Sequence, residues 1–237
     1  MAPNSNIQIR WDQGTAYDFF SSLRVLHFPD DFGLRGAWAA GVRSRLTNEA
    51  REYLEIIINN FNTPLNWVQA LSAPKDASTA LLALKRIPVG ERLGVLKLSP
   101  VESKECHALL EEVMSARSWK PAALNQLVRL WRKAGQEQRV VPGPVSEGRA
   151  AQVLDVYADP VGFGEKFLKA LETYYQVFFS EEEKRIAHKL ESALEKAKKI
   201  VAAESSQEYL YSITKEAEIT LPEKLKEVVL APSYWCC

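Results

Sequence analysis

Apolar residues recur along most of this chain at intervals of three and four, which gathers them on one face of an α-helix. Ala16, Phe19, Phe20, Leu23 and Leu26 make the first such stripe, which ends before Pro29. Asp12 and Thr15 stand ahead of it as candidate caps. The turn FPDDFGLRG leads into a short helical piece around AWAAGVRSRL. Thr47 then opens a helix carrying Tyr53, Leu54, Ile57, Ile58 and Phe61. Its IIINN run would suit a strand, but NEAREYLE before it keeps the 3.6 period. LNWVQAL and DASTALLALKRI predict two more helices, the second capped by Asp76 and stopped by Pro88. Ser99-Pro100-Val101-Glu102 has the form of a capping box with proline at the first helical position. Leu109, Leu110, Val113 and Met114 follow as that helix's core face. Pro121 opens another helix through Leu124, Leu127, Val128 and Trp131, with Gly135 as its expected stop.

Residues 136–148, rich in proline and glycine, form a candidate linker within a single domain spanning 1–237. Beyond them lies the longest helical signal, from about Pro160 to Glu204. If continuous it would run roughly 67 Å, whereas a compact globule of this length is only roughly 45 Å across. The helix must therefore bend, break or reach beyond its own domain. Its apolar residues form two stripes: Phe167, Leu171, Tyr174 and Phe178, then Ile186, Leu190, Leu194, Ala197 and Val201. At 100° per residue the two are rotated by roughly 130°. Ser180 and Glu183 have capping-box spacing at the junction, which predicts a kink or a fresh helix start there. SSQEYLYSI then reads as a short capped helix. NIQIRW near the start, and EAEITL and EVVLAPSYW near the end, alternate as short strands. The expected fold is mainly α, a multi-helix bundle with one long, kinked helix at about 160–204 and a small β element near the C-terminus.

Charge narrows the function. Across 237 residues, 30 Lys and Arg balance 30 Asp and Glu. A zero balance argues against a self-sufficient nucleic-acid binder, whose affinity comes largely from neutralised phosphates. The opening MAPNSNIQIRWDQG lacks the build of a signal peptide. No apolar run reaches membrane-spanning length, and the cysteines Cys106, Cys236 and Cys237 suggest no disulfide framework. A cytoplasmic protein without membrane contact is expected.

Recognisable reaction chemistry is sparse. His107 with Glu111 and His188 with Glu191 come nearest to metal-ligand spacing, but neither makes a CxxC or HExxH pattern. No metal and no cofactor are expected. There is no G-x-S-x-G elbow, and PVGFGEK lacks the third glycine of a phosphate loop. The terminal Cys-Cys follows an apolar, strand-like stretch rather than the flexible tail that prenylation needs. The reading is therefore not an enzyme. A hydrolase or transferase with an unrecognised site, or a helical scaffold that binds another protein through its 181–204 face, are the alternatives. Phe20, Trp38, Phe167, Tyr174 and Phe178 are candidate walls of an apolar cavity between the N-terminal and central helices. Tyr174 would orient a small-molecule effector through its hydroxyl. The rival reading of those aromatics is a filled core. Leu190, Leu194, Ala197 and Val201 are candidate seam residues of a homodimer, although the same periodicity serves packing within one chain.

WDQGTAYDFFSSLRVL, GLRGAWAAGVRSRL, PKDASTALLAL, YYQVFFSEEEKRI and VVLAPSYW together resemble the N-terminal region of long bacterial ArsR-like winged-helix regulators. The resemblance implies a mostly helical sensory and dimerisation region. It also implies a homodimer that meets DNA only through a C-terminal winged helix, for which this chain has no matching segment. LNQLVRLWRKAGQEQRVV is basic and helical but lacks the turn and second helix of a DNA reader. LAPSYWCC then reads as an internal strand of a longer protein. Metal-sensing members of the wider group use Cys and His clusters, so an effector here is expected to be organic, or absent.

Overall fold

The stripe that begins at Ala16 becomes α1 (Thr15–His27), the most deeply buried helix of the chain's first half. The computed structural model describes residues 7–98, 103–137, 145–203, 206–216 and 225–235. Ten of the 13 residues of α1 are buried, so its few polar side chains must find partners inside the protein. No side chain caps its start. The Lys75 carbonyl accepts the Ala16 N–H instead, at 3.0 Å. Gly14 permits that approach, because a Cβ there would lie 2.1 Å from the same oxygen. Asp12 and Thr15, expected as caps, are used elsewhere.

A 3-10 turn (Pro29–Phe32) leads to α2 (Gly36–Arg43), followed by α3 (Asn48–Asn60). Thr47 caps α3 as expected, accepting from the Ala50 N–H. Then come α4 (Leu65–Ala70) and α5 (Ala77–Arg86), the latter capped by Asp76 on Thr79. Phe61–Asn62 (β2) pairs antiparallel with Lys97–Leu98 (β3), a ribbon with no signal in the sequence pattern. The proposed helix start at 99–102 lies outside the described residues. The helix α6 (Lys104–Ala116) is capped by Ser103. The next helix, α7 (Pro121–Glu137), runs past Gly135, and α8 (Glu147–Ala158) packs against both α6 and α7. The candidate linker thus joins two helices that touch.

The long helix is one continuous element. It comprises α9 (Pro160–Tyr174), a π turn over Tyr175–Phe179 and α10 (Ser180–Ala203). Ser180 itself is helical, at φ −61 and ψ −33, so the expected cap and fresh start are not there. The π turn resolves the two-stripe puzzle. It accommodates one extra residue, which sets back the phase of everything beyond by about 100°. Two stripes rotated by roughly 130° therefore fall within about 30° of each other. Phe167, Leu171, Tyr174, Phe179, Ile186, Leu190 and Leu194 are all buried, on one continuous inner face. At the bulge the inward position passes to Phe179, while Phe178 stays half-exposed. Gly164 lets α9 lie directly on the 3-10 turn Val89–Val95, since a Cβ would stand 2.0 Å from the Val89 carbonyl oxygen.

A short helix, α11 (Ser206–Glu216), packs on α10. The small β element is a parallel pair rather than a hairpin: Gln8–Trp11 (β1) lies beside Glu227–Leu230 (β4). Most of the suggested EAEITL strand lies outside the described residues. No helix among the described residues is long and apolar enough to cross a membrane.

Candidate functional site

Three structural features meet where α1, α2 and the first turns of α10 come together. The first is an open groove of about 450 Å³ between α2 and the bulged helix. Ala37, Trp38, Gly41, Val42 and Arg45 form one wall; Phe178, Glu181, Glu182 and Arg185 form the other. The small side chains of Ala37 and Gly41 leave room between the helices. Trp38 and Phe178 meet edge to face with ring centroids 5.7 Å apart. Trp38 and Phe178 thus make an aromatic floor, with Arg45, Glu181, Glu182 and Arg185 around it.

The second feature is a carboxylate node at the starts of α1 and α5. Glu183 accepts from the Thr15 hydroxyl and, at 2.8 Å, from the Ala77 N–H at the start of α5. Its other oxygen accepts from the Tyr175 hydroxyl at 2.9 Å. One side chain of α10 thereby fixes the N-terminal ends of α1 and α5, where unpaired N–H groups favour an anion. Burial, together with the bond to Glu183, pushes the Tyr175 hydroxyl up to about 12. Nearby, Asp12 accepts from Lys75, from the Tyr17 hydroxyl at 2.6 Å and from the Gln13 N–H. Burial alone would raise its pKa, but these donors outweigh it and hold the carboxyl below its ordinary value.

The third feature is the seat of the C-terminal segment. Asp18, fully buried in α1, accepts with one oxygen from the Ser233 hydroxyl at 2.8 Å and the Tyr234 N–H at 2.7 Å. The Trp235 N–H also reaches it, at 3.3 Å. Burial raises the Asp18 carboxyl above its ordinary value, against the pull of those donors. The Trp235 ring lies against Trp38, centroids 5.5 Å apart. The Tyr234 ring carries the Arg185 guanidinium at 4.9 Å and the Lys189 ammonium at 5.0 Å. Arg185 also donates to the Tyr234 hydroxyl and to both oxygens of Glu182. Those bonds keep it firmly protonated.

The five candidate cavity walls do not line one space. Tyr174 is fully buried, its hydroxyl 2.9 Å from that of Ser22, and burial raises its pKa. Phe20 and Phe167 border a hollow of about 20 Å³, room for about one water. The expected cavity between α1 and α9 is thus a packed core. Only Trp38 and Phe178 reach the open groove. Of the candidate seam, Leu190 and Leu194 are buried within the chain, each 4% exposed. Ala197 and Val201 remain half-buried. Beside them Ile200 is 44% exposed, and on α11 Tyr211 is 67% exposed.

Asp18 is the polar residue that pattern reading missed, while Asp12 and Glu183 were read as local caps and instead bind distant partners. The available signal was that α1 is apolar nearly all round, so a carboxylate within it had to be buried and bonded. Among the described residues no three His, Cys, Asp or Glu side chains gather as a metal site would require. A second groove of about 460 Å³, between the ends of α1 and α2 and the side of α3, has Phe28 as its one aromatic wall beside His27, Arg43, Arg51, Glu52 and Glu55. Compared with protein-family models, curated proteins and solved structures, the chain has no match in any of the three.

Proposed function

We propose that this chain is the sensory and self-associating region of an ArsR-like transcription regulator, with DNA contact left to a winged helix elsewhere in the full-length protein. One observation carries the reading: a single helix joins the groove to the exposed Ile200 near its far end. The π turn places Phe178 in the groove wall, and α10 ends near the exposed Ile200. That span is on the order of 30 Å. π turns within α-helices concentrate at functional sites, and this one lies where an effector would press. A ligand seated on Trp38 and Phe178 would favour one setting of the bulge, and α10 would carry that setting to its distal end. The ligand shifts the balance only by binding the two settings differently. The effector class is a small organic amphiphile, and the self-association surface is formed by Ala197, Ile200 and Val201. The region itself binds duplex DNA weakly and without sequence preference, in keeping with its zero net charge.

The test is a thermal-shift screen with hydrophobic and amphiphilic small molecules, run on the protein and on Trp38→Ala. The reading expects at least one compound that stabilises the protein and loses its effect in the variant. A screen in which no compound discriminates between the two removes the effector site. Specific, submicromolar binding of operator-length DNA in a gel shift would contradict the assignment of DNA contact to another domain.

A further inference from the structure

We infer that residues 225–235 form a latch, a segment that docks and releases as one unit while the helical core stays folded. Its seat is Asp18, Trp38 and Arg185. The sheet by which it is attached has two strands, β1 and β4, each pairing only with the other among the described residues. A two-stranded ribbon is marginal in water on its own. Pro232, which has no N–H to give, stops the ladder just beyond Leu230. From there the hold passes to side chains at one place. Asp18 takes three donors from Ser233, Tyr234 and Trp235, and the two aromatic rings rest on Trp38 and Arg185.

That contact is close but incompletely satisfied. Among the described residues three buried side-chain polar atoms have no partner, and two of them lie here: Asp18 Oδ2 and Trp235 Nε1. Closing the latch strips water from both without replacing it, and opening restores it. Trp235 is buried, yet it stands outside the continuous core cluster that runs from α1 to α10. Ala231 and Tyr234 rest on the outside of that cluster as partly buried residues, so release uncovers part of its surface without removing a member of it. The docked state thus carries a desolvation cost that the released state lacks, which narrows the gap between them as a two-state element requires. The seat also shares Trp38 and Arg185 with the groove wall, so a molecule entering the groove touches the residues that hold the latch. A released latch uncovers the far face of Trp38 and frees Arg185 from the Tyr234 ring.

The regulatory use of the latch rests on the proposed function, but its existence does not. Hydrogen exchange on the full chain, resolved to single amides by NMR, reads it directly. The Tyr234 and Trp235 amides, with those of β4, are expected to exchange at one shared rate, about 100-fold or more faster than amides of α9. Trp235→Ala and Ser233→Ala should each speed exchange across 225–235 while leaving α9 protection within about twofold. Strap amides as protected as those of α9 would overturn the latch. So would a Trp235→Ala variant in which the α9 amides lose protection in step with the strap. A failed effector screen, or DNA binding by this chain, would count against the proposed function and leave these exchange rates unaffected.

Discussion

Glu183 accepts a hydrogen bond from the Ala77 N–H, 2.8 Å away and 106 positions back along the chain. The same oxygen takes the Thr15 hydroxyl, so one residue of α10 holds the first turns of two other helices. Charged hydrogen bonds of this kind contribute about 1.5–3 kcal/mol each when they are partly buried.

Glu183→Ala removes three such bonds and should therefore cost about 4 kcal/mol or more in urea unfolding. Glu183→Gln, which can still accept from two of the three donors, should cost less than half as much. Equal losses for both variants would mean that packing of the side chain, and not its acceptor oxygens, matters.

The π turn makes a sharper prediction. Deleting the exposed Gln176 brings Tyr174 and Phe179 to an ordinary i, i+4 spacing and leaves the phase of α10 unchanged. That variant should fold, with loss limited to the Tyr175 and Phe178 contacts, about 1–2 kcal/mol. Inserting one alanine after Gln176 instead turns Ile186, Leu190 and Leu194 about 100° off the core. Circular dichroism should then show loss of the cooperative melt, because more than about 4 kcal/mol is at stake.

Burial raises the Asp18 carboxyl above its ordinary value of 3.8. The folded state thus holds that proton more tightly than the unfolded chain does. The group's contribution to stability is fully present below about pH 4 and is lost as pH rises through the raised value. The stability of the native protein relative to Asp18→Asn should therefore fall as pH rises above about 4. A difference that stays flat or rises over that range would contradict a raised Asp18 pKa.

Leu190 and Ile200 separate packing within the chain from contact between chains. Leu190→Ala should cost about 2–4 kcal/mol, as a core truncation does, without changing the association state. At concentrations low enough to keep the chain single, Ile200→Glu should leave unfolding within about 0.5 kcal/mol. Its effect belongs to self-association.

Pattern reading found most helices and their caps, because Thr47 and Asp76 act on backbone within three residues of themselves. It placed Leu171 and Leu190 on separate faces because a fixed 100° per residue cannot register a π turn. The capping-box match at Ser180 and Glu183 failed for a related reason. Glu183 is satisfied by Thr15, Ala77 and Tyr175, and no local rule reveals partners so far away. The two strands were visible as alternation, but their parallel pairing across more than 200 residues was not. Asp18 could have been suspected from its apolar surroundings, although its partners at 233–235 could not.

The self-associating reading is tested most directly by light scattering on the intact chain and on Ile200→Glu, each over a range of concentrations. Twice the chain mass is predicted for the native protein, and a shift toward the single-chain mass for the variant, with unchanged helical content. A native protein that stays at the single-chain mass at high concentration would contradict self-association, as would a dimer indifferent to Ile200.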